Sequence, residues 1–156
     1  FVEGAKGMLF AGLVIGFCKA AVLIMTNANV FDTIINAAGN LLSGLDTRIS
    51  ACGMFIVQDL FNFLVPSGSG QAAITMPFMA PLSDILDVSR QTAVMAFHLG
   101  DGFTNFIVPT SGCLLGALAA AKIEWGNWAK FMIKFQGILV VGCTIVMILA
   151  VVLGLS

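Results

Sequence analysis

The chain has 156 residues, 59% hydrophobic and 10% charged, with a formal net charge of −1 and a mean hydropathy of +1.03. Soluble domains carry about 25% charged residues and nucleic-acid binders need a basic stripe, so both classes are excluded. Thirteen Phe, eight Met and no Tyr suit lipid-facing and helix-packing surfaces, and the chain reads as an all-α integral membrane protein.

The sequence opens at Phe1 without an initiator Met, and Lys19 interrupts the apolar run that a signal peptide would need. It is therefore expected to be part of a larger protein. Cys18, Cys52, Cys113 and Cys143 stand singly in apolar segments. No zinc or disulfide spacing is present, and all four are expected to be small buried packing residues.

The first segment, about Ala5 to Met25, is long enough to cross a bilayer, which takes roughly 20 apolar residues. Lys6 can snorkel to an interface, whereas Lys19 lies deeper and is expected to face protein or water. From Val30 to Leu45, Val30, Phe31, Ile34, Ile35, Ala38, Leu41, Leu42 and Leu45 share one helical face, the pattern of an amphipathic helix lying in the interface. Asn27 and Asn29 are candidate N-caps.

Ile49 to Val65 and Gln71 to Leu86 are too short for comfortable crossings. They are joined by Pro66-Ser67-Gly68-Ser69-Gly70, a strong helix breaker. Together they read as a re-entrant hairpin, with Pro77 and Pro81 distorting the returning arm. Gln91 to Leu99 and Leu114 to Ala121 flank a polar stretch, Gly100 to Gly112, and read as one broken membrane helix. Irregular backbone at that depth is tolerated only where protein buries it or water fills a cavity. Trp128 to Ser156 is an ordinary spanning helix, with Trp125 and Trp128 at its interfacial start.

An internal echo links the two breaks. Asn62-Phe-Leu-Val-Pro-Ser recurs as Asn105-Phe-Ile-Val-Pro-Thr, four of six positions being identical. A helix broken in the membrane leaves free carbonyls on one side and free N–H groups on the other. Carbonyls, hydroxyls and amides suit a dehydrated Na⁺, and the N–H groups suit a carboxylate. Discontinuous helices of this kind build the binding sites of many secondary transporters.

The candidate substrate- and ion-binding residues are accordingly Asn62, Ser67, Gly68, Ser69, Gly70, Gln71, Asp101, Thr104, Asn105, Thr110, Ser111 and Gly112. Ser67, Ser69, Asn105 and Thr110 form a candidate sodium site. Asp101 is the sharpest, because a carboxylate in mid-membrane is costly; it couples an ion or proton, or pairs with a basic residue. Gln58 and Asn62 lie four apart on one helix face, as polar glue between helices or as site lining. Asp59 lies at a similar depth with no assignable partner. His98 adjoins the second break and is read as a packing histidine ahead of a proton carrier.

Lys6, Lys122, Lys130 and Lys134 are expected on one side of the membrane and Arg48 and Arg90 on the other. The positive-inside rule then places the four lysines in the cytoplasm and the C-terminus outside. An intramembrane serine protease would want Gly-x-Ser-Gly, which Ser69 and Ser111 each miss by one residue. No enzyme activity is expected. A channel with a re-entrant filter loop is the alternative to a carrier.

Asn62-Phe-Leu-Val-Pro-Ser-Gly-Ser-Gly-Gln-Ala-Ala-Ile-Thr-Met-Pro, Ser89-Arg-Gln-Thr-Ala-Val-Met-Ala-Phe and Gly100-Asp-Gly-Phe-Thr-Asn-Phe-Ile-Val-Pro-Thr-Ser-Gly closely resemble the YfcC-like family. That family comprises C4-dicarboxylate anaerobic carriers and basic amino-acid antiporters of the ion transporter superfamily. The resemblance covers essentially the whole chain. It implies the C-terminal portion of a bacterial inner-membrane transporter built from two inverted repeats, homodimeric when intact. By analogy 1–26 is a scaffold helix, 27–47 an interfacial arm and 48–156 part of the transport domain, with hairpin 49–86, broken helix 91–121 and last helix 128–155. The implied partners are the lipid bilayer, a small carboxylate or amino-acid substrate and the N-terminal portion of the same transporter. No nucleic acid and no organic cofactor are expected, only a coupling Na⁺ or H⁺. Sodium-coupled dicarboxylate relatives carry Ser-Asn-Thr at each hairpin tip, whereas this tip reads Ser67-Gly68-Ser69-Gly70. The chain alone is not expected to transport.

Overall fold

A computed structural model describes the backbone of residues 2–154 and the side chains of that range except 2–8, 10, 11, 15 and 18. The readings made for the side chains of Lys6 and Cys18 lie outside the described residues. Among the described residues the secondary structure is entirely helical. It comprises α1 (Val2–Asn27), α2 (Val30–Leu42), α3 (Thr47–Leu64), α4 (Gly68–Ile85), α5 (Arg90–Thr104), α6 (Gly112–Ala121) and α7 (Trp125–Val152).

Two helix starts follow directly from their capping residues. Asp46 accepts from the Arg48 amide at 2.9 Å and opens α3. Ser89 accepts from the Thr92 amide at 3.1 Å and opens α5, in each case satisfying a first-turn N–H that has no helical partner. Asn29 behaves differently from the expected cap. It stands at the cap position of α2 with φ +52° and no side-chain cap bond. Its contribution is tolerance of left-handed backbone, which lets the chain turn 72° between Gly12–Asn27 and Val30–Leu42.

The 28 residues of α7 reach roughly 42 Å, more than the roughly 30 Å of a hydrocarbon core, and α7 is apolar enough to cross one. Its Phe131, Ile138, Val141 and Val152 are exposed, as are Leu9, Phe17 and Ile24 on α1. On α2 the protein covers Phe31, Ile35 and Leu42, while Leu41 stays exposed, so the apolar stripe is wider than the face that packs inward. The arms α3 and α4 have 18 residues each, or roughly 27 Å, slightly longer than their apolar runs suggest. α4 passes through Pro77 and Pro81 as one helix.

The main core joins α3, α4, α5 and α7 through Met54, Phe55, Met79, Ala93, Ala96 and Met147. α3 lies at its centre and packs most extensively on α5. A second cluster joins α2 to α3 through Phe31, Ile35, Phe61 and Val65, with the Phe31 and Phe61 rings 4.9 Å apart. α6 packs chiefly on α1.

The second break is shorter than the polar stretch that marks it. Helix α5 continues through Gly100, Asp101, Gly102, Phe103 and Thr104, and only Asn105–Ser111 is irregular. Gly100 is present for proximity rather than to break the helix. A Cβ there would lie 2.8 Å from the Asp59 amide nitrogen and 2.9 Å from the Gln58 carbonyl carbon. The first break is also tighter than expected, since Gly68, Ser69 and Gly70 form the first turn of α4 and the connection reduces to Val65–Ser67.

Candidate functional site

Four buried polar side chains on α3 and α4 tie the hairpin arms together. Gln58 and Thr75 are 1% and 0% exposed, and Asn62 and Gln71 are both 0% exposed. The Gln71 amide donates to the Gln58 side-chain oxygen at 2.7 Å and to the Gln58 backbone carbonyl at 2.9 Å. The Gln58 amide donates to the Thr75 hydroxyl at 3.1 Å. Unpaired, each of these groups would cost about 1–3 kcal/mol to bury. Paired, they hold α3 and α4 in one register.

Asn62 extends this network to the second break. Its amide nitrogen donates to Gln71 Oε1 at 2.9 Å and to Asp101 Oδ1 at 2.7 Å. Asn105 meets the same carboxylate, donating to Asp101 Oδ1 at 3.1 Å and to the Asp101 carbonyl at 2.7 Å. The two asparagines of the internal echo thus converge on one carboxylate oxygen. Asp101 Oδ2 has no hydrogen bond among the described residues and lies against the start of α4, where a Cβ at Gly68 would come within 2.9 Å of it. Asn62 Oδ1 is buried and has no partner among the described residues. A buried acceptor without a donor, Asn62 Oδ1, thus lies beside the half-buried Asp101 carboxylate at the junction of the breaks.

A second link runs beside the first. The Thr104 hydroxyl donates to Asp59, which supplies the partner that the sequence left unassigned. The Thr110 hydroxyl donates to the Phe63 carbonyl at 3.1 Å, joining the second break to the first hairpin arm. The indoles of Trp125 and Trp128 donate to the carbonyls of Ile107 and Phe106 at 2.9 and 2.8 Å. These carbonyls lie in the irregular stretch, so the start of α7 satisfies part of what the break leaves unpaired.

A cavity of about 250 Å³ opens between α1, the α3–α4 connection and the start of α6. Lys19, Val65, Ser67, Thr110, Gly112 and Cys113 are among its lining residues. Ser67 and Ser111 occupy the cap positions of α4 and α6, yet neither side chain makes a cap bond.

A model of the family described as DcuC, C4-dicarboxylate anaerobic carrier, matches residues 1–152. The chain belongs to this carrier family. It is 42% identical over 159 residues to a protein of Escherichia coli named "Putative basic amino acid antiporter YfcC", a match covering 99% of this chain and 31% of that protein. It is 31% identical over 151 residues to an uncharacterized protein of Haemophilus influenzae, covering 97% of this chain and 30% of that one. The chain thus spans about a third of the length of these curated relatives. No solved structure matches it.

Within this carrier chain, the structure brings Asn62, Gln71, Asp101 and Asn105 into one hydrogen-bonded cluster, with Gly68 against it. Ser67, Thr110 and Gly112 line the neighbouring cavity. Gly70 packs on Ser67, Ser69 is exposed, and Ser111 is buried at the head of α6. The four oxygen donors proposed for sodium divide between these places. Asn105 engages Asp101, Thr110 engages Phe63, and Ser67 faces the cavity. His98 is exposed beside the Phe97 ring, so it is not buried packing. Cys113 is exposed rather than buried, because it sits in the first turn of α6 at the cavity, while Cys143 is buried. Thr75 was missed by sequence reasoning. Its spacing of four from Gln71, matching the spacing of Gln58 and Asn62 on the facing arm, could have found it.

Proposed function

We propose that this chain is the C-terminal portion of a secondary transporter that moves a small carboxylate-bearing solute, a C4-dicarboxylate or an amino acid, across the bacterial inner membrane by alternating access. In this reading α3 and α4 are a re-entrant hairpin, and α5 and α6 are the halves of a broken helix. The N-terminal portion supplies the inverted counterpart. The intact protein is a homodimer, with its C-terminus on the outer side. The observation that carries the reading is the convergence of Asn62, in the last turn of α3 before the first break, and Asn105, at the start of the second break, on Asp101. Two breaks held by one carboxylate form a site that can change only as a unit.

The buried Asn62 Oδ1, without a donor among the described residues, and the half-buried Asp101 carboxylate beside it suggest what the site takes. A proton on Asp101 or a Na⁺ between the two oxygens supplies the missing positive charge, and this is the proposed coupling ion. The N–H groups that open α4 and α6 favour the carboxylate of the solute. The test is uptake of radiolabelled succinate and arginine by the full-length carrier in proteoliposomes, with imposed Na⁺ or pH gradients. Saturable, gradient-dependent uptake that Asp101→Asn abolishes supports the proposal. Uptake that stays linear with concentration indicates a channel. Unchanged affinity in Asp101→Asn and Ser69→Ala removes these breaks as the site.

A further inference from the structure

Lys19 stands well inside α1, roughly 12 Å of helix from its C-terminal end. Its side chain is exposed; on the carrier reading, which puts α1 in the membrane, a cation there needs a partner or a wetted space, and among the described residues Lys19 has neither ion pair nor hydrogen bond. What it has is the cavity. Its side chain lines one wall, and Ser67, Thr110, Gly112 and Cys113 line the others.

The remaining polar groups of that cavity are arranged to donate. Ser67 lines the space and occupies the cap position of α4 without using its hydroxyl as a cap. Gly112 and Cys113 open α6, and the Ser111 side chain does not cap their turn, so first-turn N–H groups remain available. The Thr110 hydroxyl is committed to the Phe63 carbonyl. Among the described residues no acidic side chain lines the space. Its volume of about 250 Å³ equals that of roughly eight waters at about 30 Å³ each, enough for a small organic acid.

We propose that Lys19 is the counter-ion for a carboxylate of the transported solute, bound in this cavity against Ser67 and the start of α6. The assignment rests on the carrier reading and extends it. The site is shared between α1 and the two breaks, and Lys19 contributes the full positive charge that the breaks lack. Asp101 on α5 lies against Gly68, the residue that follows Ser67 and opens α4. In this proposal a solute with a carboxylate at Lys19 and a cationic group directed to the start of α4, where Asp101 lies against Gly68, would meet both charges, so an amino acid is favoured over a dicarboxylate.

Cys113 provides a reporter inside the cavity, since it is exposed and lines the same wall. The full-length carrier is treated with an anionic or a cationic methanethiosulfonate reagent, and modification of Cys113 is followed by peptide mass spectrometry. In the wild type the ratio of anionic to cationic rates should exceed that of Lys19→Met by about tenfold, the scale of one unit charge within several ångströms at a partly wetted site. Lys19→Arg should keep the wild-type ratio. Arginine should protect Cys113 in the wild type and not in Lys19→Met, whereas agmatine, which lacks the carboxylate, should not protect. Protection by succinate equal to that by arginine would retain Lys19 and overturn the preference for an amino acid. Equal rate ratios in wild type and Lys19→Met overturn the assignment, as does equal protection by agmatine and arginine. Saturable uptake with an unchanged ratio overturns this inference alone. A Lys19-dependent ratio in a protein without saturable uptake overturns the carrier reading and leaves an anion site.

Discussion

Gly100 offers the sharpest test of the packing that holds the site. An added Cβ would lie 2.8 Å from Asp59 N, and 2.9 Å from both Gln58 C and Gln58 Cβ. Two of these are backbone atoms of α3, so no side chain can swing aside. Ordinary contact begins near 3.4 Å, so Gly100→Ala must push α5 away from α3 by about 0.6 Å. The neighbouring residue is Asp101, whose 2.7 Å bond from Asn62 would stretch beyond the roughly 3.2 Å limit of a good N–H···O bond. Overpacking costs about 1–3 kcal/mol and weakening of a charge-assisted bond about 1 kcal/mol, offset by about 1 kcal/mol of improved helix propensity. The net is a loss of about 1–3 kcal/mol. Gly102 lies two residues on in the same helix with nothing within 4 Å of its added Cβ, so Gly102→Ala keeps the propensity gain without the clash. In thermal unfolding of the detergent-purified full-length carrier, the two variants should move the midpoint in opposite directions. A Gly100→Ala midpoint equal to that of Gly102→Ala would refute the close approach of α5 to α3.

Other outcomes test separate parts of the network. Asn62→Leu removes two donors at once, leaving Gln71 Oε1 and Asp101 Oδ1 each short of a partner, and should destabilise by about 2–4 kcal/mol in denaturant titration; a loss below 1 kcal/mol would contradict the buried pairing. Trp128→Phe and Trp125→Phe each remove one indole donor to the break, so hydrogen exchange across Asn105–Ser111 should accelerate while that of α3 stays unchanged. Equal exchange in wild type and both variants would detach α7 from the break. Arg90→Ala breaks a bidentate pair with Asp84 at 3.0 and 2.7 Å, but both side chains are more than half exposed. Surface pairs of this kind contribute little, so the unfolding midpoint should not move measurably.

The helices were largely legible because membrane-like segments announce themselves by apolar length and by Pro and Gly at their ends. The boundaries that moved share a cause. Gly68, Gly70, Gly100 and Gly102 all weigh toward breaks in a single sequence, yet here all four are helical. Gly68 and Gly100 serve close approach to Asp101 and to α3, a pairwise property that one chain's sequence does not display. The same limit applies to the site. The internal echo marked Asn62 and Asn105, but it did not reveal that both amides meet the same oxygen. The partner of Asp59, forty-five positions away at Thr104, depends on how α3 and α5 face each other. Lys19 was legible as misplaced in an apolar helix, and only the fold shows the space it lines.

The two tryptophans of this chain both spend their indole N–H on carbonyls of the broken stretch. An indole's emission shifts with the polarity and hydrogen bonding of its ring nitrogen. Any rearrangement at Phe106 or Ile107 would therefore change the fluorescence of this segment without an introduced label. In a full-length protein whose other tryptophans are replaced by Phe, the colour of the emitted light becomes a direct record of whether an added solute or ion reorganises the break. Stopped-flow measurement of that signal would time the step separately from transport.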